Sequence, residues 1–168
     1  MLYGHAAEVA IRAALYLAER PPGELSPVHE VAKATKLPSA YLSKVIQRLA
    51  QAGLIRTFRG PGGGLELGKS PEAITLWSLV RATDGSSDVD RCALGIGNCS
   101  PGNPCPLHGR WAPLREDFQK LLEGTTLAAL VRELEQAPAK EPSSRQRHTR
   151  RTDTFSDSEL PRERQDRP

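Results

Sequence analysis

All three cysteines of the 168-residue chain fall in one stretch that ends on a histidine: Cys92, Cys99, Cys105 and His108. Thiolates and imidazole bind zinc and iron–sulfur clusters, and gathering them in one loop points to metal binding rather than to idle core thiols. Between them, Gly95, Gly97, Asn98, Pro101, Gly102, Asn103, Pro104 and Pro106 break helix and strand patterns alike. Such a loop recovers little of its chain entropy by burial, so a bound metal or cluster is expected to order it. The gaps between successive candidate ligands are six, five and two residues. Structural zinc usually takes its thiolates in close pairs on one tight turn. The wider gaps therefore favour an iron–sulfur cluster, with structural zinc as the alternative.

A loop needs elements to hold it, and the chain before it supplies them. Ala6 to Ala18 reads as a helix apolar on two faces, Ala7, Ala10, Ala14 and Leu17 on one and Ile11, Leu15 and Ala18 on the other. Such a helix is packed on two sides. Glu8 and Arg12 stand on its polar side at the spacing of an i,i+4 pair. Pro21-Pro22-Gly23 ends it. Ser26-Pro27 reads as the cap and first residue of a short helix over Val28 to Thr35, and Ser39 as the cap of another that runs to Ala52, where Gly53 stops it. In the second of these Leu42, Val45, Ile46 and Leu49 face inward, while Ser39, Ala40, Ser43, Lys44, Gln47, Arg48 and Gln51 lie outward.

Two short helices joined by a tight turn, the second with a small, polar, cationic face, form the pattern of a helix-turn-helix. A plain helical hairpin is the other reading. The next fourteen residues, 54 to 67, favour the first. Leu54 to Phe58 and Leu65 to Leu67 read as two strands around Arg59-Gly60-Pro61-Gly62-Gly63-Gly64, a hairpin tip almost bare of side chains. A hairpin after a recognition helix is a wing. Gly60, Gly62 and Gly63 would let its backbone approach phosphates, and Arg59 would enter a minor groove. No Lys-Ser/Thr comes after the glycines, so a nucleotide-binding loop is not indicated.

A further helix from Leu76 to about Thr83 leads into the cysteine loop. After the loop, Trp111, Leu114, Phe118, Leu121 and Leu122 have helical spacing, as a dimerisation helix or one packed on its own domain would. Thr125-Thr126 caps a last helix to about Glu135, and from Pro138 onward the polar, proline-containing composition is that of a disordered tail.

Charge is unevenly spread. Residues 1–70 carry nine Lys/Arg against five Asp/Glu, residues 71–137 six against nine, and the tail eight against six, within a net +3. The basic first part suits a polyanion such as DNA. There is no run of the ~18 apolar residues that read as a membrane span. The odd cysteine count without an export signal reads as reduced cytoplasm. No nucleophile–base or acid pair appears at a useful spacing, so an enzyme is not expected.

The run from Tyr41 to Leu49, continued by Ala52-Gly53-Leu54-Ile55, the glycine-rich wing, Pro71 and Ile74, resembles the Rrf-two family of winged-helix regulators. The cysteine loop with Cys105-Pro-Leu-His108-Gly-Arg-Trp111 adds to the likeness, which covers about residues 1–135. The resemblance implies a homodimer that binds double-stranded DNA at a palindromic promoter site, with Tyr41 in the matched reading helix. It also implies a 2Fe–2S or 4Fe–4S cluster on Cys92, Cys99 and Cys105 near the dimer interface. One branch of the family completes the set with a histidine three residues after the last cysteine, here His108. Another uses a carboxylate from the first helix of the partner chain, the place where Glu8 stands. His108 is the preferred fourth ligand, since its spacing needs no partner. Two departures stand out: the first gap is one residue longer than in those branches, and Ser43 stands where one of them has an acidic side chain.

The expected fold class is mostly α: a winged helix-turn-helix with a small two-stranded wing over residues 1–84, a cluster loop and long dimerisation helix over 85–137, and a disordered tail over 138–168. The expected function is a cytoplasmic transcription regulator, read as a repressor, that senses redox state, nitric oxide or iron–sulfur status. A zinc-stabilised DNA-binding protein without sensing, or a small redox or cluster carrier, are the alternatives.

Overall fold

The computed structural model describes residues 3–85, 92–96 and 99–137. The tail expected to be disordered lies outside them. The chain forms α1 (His5–Ala18), α2 (Val28–Thr35), α3 (Ser39–Gln51), β1 (Ile55–Thr57), β2 (Leu65–Leu67), a 3₁₀ turn (Pro71–Ala73), α4 (Leu76–Asp84), α5 (His108–Gly124) and α6 (Leu127–Gln136). This is a mostly helical winged helix-turn-helix.

Helix α1 runs through the middle because its sequence lets neighbours come close. Ala7, Ala10, Ala13 and Ala14 are fully buried, flanked by Val9 and Leu17. Helices α2, α3, α4 and α6 and strand β2 all pack against it. As expected, α3 turns Leu42, Val45, Ile46 and Leu49 inward. Burying each such side chain contributes ~1.5–3 kcal/mol, which fixes which face of α3 is left to solvent.

The turn between α2 and α3 closes through Lys36, in the left-handed region at φ 55°, ψ 41°. The Leu37 N–H then reaches back to the Ala32 carbonyl at 2.9 Å, and Leu37 is buried. That is a Schellman-type ending, with its usual apolar contact. The Arg12 guanidinium adds a bond to the Thr35 carbonyl in the last turn of α2.

Two caps differ from the sequence reading. Pro27, not Ser26, precedes α2, and Pro38, not Ser39, precedes α3; neither helix has a side-chain cap. Ser26 is instead buried and paired with the wing: its N–H donates to the Leu65 carbonyl at 3.0 Å and its carbonyl accepts from the Leu65 N–H at 2.8 Å. A backbone ladder here takes a residue whose type suggested a cap. Thr126 does cap α6, accepting from the Ala129 N–H at 3.2 Å, and Thr75 caps α4 in the same way through Ser78.

The wing is an antiparallel pair with Ile55 opposite Leu67, Arg56 opposite Glu66 and Thr57 opposite Leu65. Ile55 and Leu65 are buried in the main core. Behind it, α5 lays Phe118 and Leu122 on Trp77, Val80 and Ala7, with the Phe118 ring stacked on Tyr3 at 6.1 Å. Leu114 and Leu121 of α5 are each 62% exposed. The helix thus packs on its own chain along one face and leaves a leucine face outward.

Candidate metal centre and nucleic-acid interface

The cysteine loop has more order of its own than its composition suggested. The Gly95 N–H closes a turn on the Cys92 carbonyl at 2.9 Å, with Gly95 at φ 64°. Ser100 and Asn103 exchange backbone bonds of 3.2 and 3.0 Å, reversing the chain between Cys99 and Cys105. The His108 N–H then returns to the Cys105 carbonyl at 2.9 Å, where α5 begins. The three sulfurs lie within 4.8 Å of one another. Cys92 Sγ and Cys105 Sγ are 3.5 Å apart.

His108 joins this group through one member. Its Nδ1 is 3.0 Å from Cys99 Sγ, while the mutually close set consists of the three thiols. The Cys99 sulfur also accepts the Cys105 N–H at 3.4 Å. The Cys92 thiol is lowered from its ordinary value, chiefly by the backbone amide of Leu94. That of Cys105 is raised, first by partial desolvation and then by the neighbouring Cys92 and Cys99 thiols. Two thiols poised in opposite directions share one site.

The donor set fits a thiolate-bound metal group. Three sulfurs converge, an imidazole stands beside one of them, and the first turn of α5 begins three residues after Cys105. The sulfur spread also suits a single tetrahedral ion, in which Zn–S bonds of ~2.3 Å place sulfurs ~3.8 Å apart. Glu8, the other candidate ligand, lies on α1 within its own chain's network, 3.7 Å from Arg12 and 3.3 Å from His5.

On the outer face of α3, Ser39, Ala40, Ser43, Lys44, Gln47 and Arg48 are all exposed. The Ser43 hydroxyl donates to the Ser39 carbonyl at 2.9 Å and retains its lone pairs for a partner. Tyr41 stands differently from the others: half-buried, it stacks on His5 with ring centres 5.4 Å apart. Arg48 is also engaged, its Nη1 donating to the Thr83 carbonyl at 2.7 Å. Lys44 and Arg59 have no ion-pair partner among the described residues.

At the wing tip Gly60 (φ 95°) and Gly62 (φ 75°) hold left-handed conformations in open space. Gly63 is required for a different reason. A Cβ there would come within 2.3 Å of the Phe58 carbonyl, so it is needed by the hairpin's own closure. Phe58, read from sequence as the end of the first strand, lies just past β1 and is 45% exposed beside Arg59.

The profile of the family described as "Rrf2: Iron-dependent Transcriptional regulator" matches residues 3–133. The chain belongs to the Rrf2 family of transcriptional regulators. An HTH-type transcriptional regulator of Aquifex aeolicus is 32% identical over 133 residues, 78% of this chain and 92% of that protein. The HTH-type transcriptional regulator IscR of Yersinia pestis is 37% identical over 105 residues, 62% of this chain. That match spans 63% of the IscR sequence, less than two thirds of its length. Among solved structures, CymR, the global cysteine regulator of B. subtilis, superposes with a TM-score of 0.66 at 23% identity, covering 77% of this chain and 95% of CymR. T. potens IscR gives 0.64 at 22%, covering 83% and 92%. These two likenesses support the winged-helix fold of the Rrf2 family. Among the described residues no helix is long and apolar enough to cross a membrane.

Proposed function

We propose that this Rrf2-family chain is a cytoplasmic, homodimeric repressor whose affinity for a palindromic promoter site depends on an iron–sulfur cluster held by Cys92, Cys99, Cys105 and His108. The observation that carries the reading is the convergence of three thiols at the start of α5, in a chain that also has an exposed reading helix and wing. The domain division obeys the same logic, with residues 1–84 for DNA, 85–137 for the cluster and dimer contact, and 138–168 as a tail.

Within this reading Lys44 and Arg59 place the protein on phosphates or in the minor groove, while Ser39, Ser43 and Gln47 face base edges. Ala40 leaves room for the backbone to approach, Tyr41 fixes the start of α3 against His5, and Gly60, Gly62 and Gly63 shape the wing. Leu114 and Leu121 offer the apolar face for the second protomer. A bound cluster would supply a redox- and nitric-oxide-sensitive centre at the thiols. The chain's own part is to hold that site against α5 and α4, so that a change in the loop biases how two reading helices are spaced.

The fourth ligand rests on position. His108 stands next to Cys99 within the same chain, whereas Glu8 is engaged with His5 and Arg12. Structural zinc is the second reading, favoured by the sulfur spacing. Anaerobic purification with a visible spectrum and iron, sulfide and zinc assays decides between them. Iron and sulfide with visible absorbance are expected; stoichiometric zinc without sulfide overturns the cluster. If Glu8→Ala loses the absorbance while His108→Ala keeps full iron and an unchanged spectrum, the carboxylate of the partner chain is the ligand.

A further inference from the structure

Arg48 stands on the exposed face of α3, where a cation would ordinarily be assigned to DNA phosphate. Its guanidinium is turned elsewhere, donating at 2.7 Å to the Thr83 carbonyl in the last turn of α4. The final carbonyls of a helix lack intrahelical partners and carry the negative end of its dipole, so an arginine there is well placed. We propose that Arg48 is a positioning residue that ties the reading helix to the thiol site through the end of α4, rather than a phosphate contact. The proposal deepens the regulatory reading above and rests on it for its consequence, though not for the contact itself.

The end of α4 is built as an anchor. Thr83 is buried, and its hydroxyl donates back to the Leu79 and Val80 carbonyls at 3.0 and 3.2 Å. The next residue, Asp84, accepts the Gly4 N–H that opens α1, so one short segment holds the end of α3 and the start of α1. Gly85 then ends the helix at positive φ, 72°. At its other end α4 is fixed to the junction behind α5: the Leu76 N–H donates to the Thr125 carbonyl at 2.9 Å, and the Leu127 N–H to Ile74 at 2.9 Å. Helix α4 packs on α5, the helix into which the thiol loop leads. Displacing its last turn moves the carbonyl to which Arg48 is fixed, and with it the tail end of α3. Such coupling needs a shared element that both sites bias, and the Thr83–Asp84 segment is that element.

The test uses the full chain, cluster-loaded as purified anaerobically and chelator-stripped, with a duplex selected by the wild-type protein from a random library. Arg48→Ala is expected to lower the loaded-to-stripped affinity ratio by ~2- to 30-fold, the range that coupling residues command. It should leave the salt dependence of binding unchanged. Lys44→Ala should do the reverse, losing a slope of ~0.9 for one phosphate contact and keeping the ratio. If Arg48→Ala loses that slope and keeps the ratio, Arg48 is a phosphate contact and the proposal is wrong. Amide exchange in residues 79–85 of the stripped protein gives a reading independent of any cluster. Arg48→Ala should speed it at least several-fold and Lys44→Ala should not; unchanged exchange in Arg48→Ala overturns the tether. If the wild-type ratio is one, the regulatory reading falls, and exchange alone decides whether Arg48 holds α4.

Discussion

Replacing Gly64 by alanine tests how the wing is held. Gly64 is buried, and a Cβ on it would lie 2.8 Å from the Ser26 carbonyl carbon, 2.9 Å from its oxygen and 3.1 Å from its nitrogen. All three are backbone atoms, so no flexible side chain can move aside. Relief requires Ser26 and the wing to separate, which breaks the two bonds between Ser26 and Leu65. Each bond contributes ~0.5–1.5 kcal/mol net, and forcing an extra methyl into a packed site costs ~1–3 kcal/mol. These routes are alternatives in part, so the expected loss is about 2–4 kcal/mol. Gly62→Ala is the comparison: its site is open, and only the positive φ is strained, at ~1–2 kcal/mol. Urea unfolding of the full chain tracked by far-ultraviolet circular dichroism reads both, and Gly64→Ala should have the lower midpoint with a similar slope. A Gly64→Ala protein within about 0.5 kcal/mol of wild type would refute the reasoning, because the Ser26 backbone would then have to give way freely.

Other parts of the molecule yield three further expected outcomes. Lys36 sits at φ 55° in open solvent, so Lys36→Gly should stabilise the protein by ~0.5–1 kcal/mol in the same unfolding assay; a loss of stability would show that the lysine side chain holds the turn. In reduced, metal-free protein at neutral pH, iodoacetamide should modify Cys92 before Cys105, since one thiol is lowered and the other raised and the thiolate is the nucleophile. As pH rises, Cys92 should reach half its maximal rate below the ordinary cysteine value and Cys105 above it, and peptide mass spectrometry showing the opposite order would contradict the site geometry. In the dimer proposed above, Leu121→Glu, at a side chain already 62% exposed, should yield monomer in light scattering, and an undisturbed dimer would move the interface elsewhere.

The periodic parts of the chain were legible in its sequence. The inward row Leu42, Val45, Ile46 and Leu49 and the Ala7, Ala10, Ala14 and Leu17 row of α1 come from residue spacing, because burial enforces a period that sequence displays; Val9 and Ala13, also fully buried, fell in neither row read on α1. The closeness of the three cysteines was legible for a different reason: every thiol of the chain lies in that one loop. What could not be read were contacts between distant segments. Ser26 has the composition of a cap and Arg48 that of a phosphate ligand, yet Leu65 and Thr83 claim them. Neither partner is near in sequence, and a backbone carbonyl advertises nothing through residue type. The approach of the three sulfurs was hidden likewise, since gap lengths alone do not state which turns the chain takes.

The alanine surface of α1 bears on how motion passes through the protein. Ala7, Ala10, Ala13 and Ala14 meet their neighbours with no torsion angle beyond the backbone. A leucine or methionine contact can absorb a small displacement by changing rotamer, but an alanine contact cannot. Helices seated on such a surface behave like gears with short, stiff teeth: they slip little and store little. A push delivered near Gly4 would therefore arrive at α2 and α3 as translation of whole helices, with the side-chain packing between them left as it was.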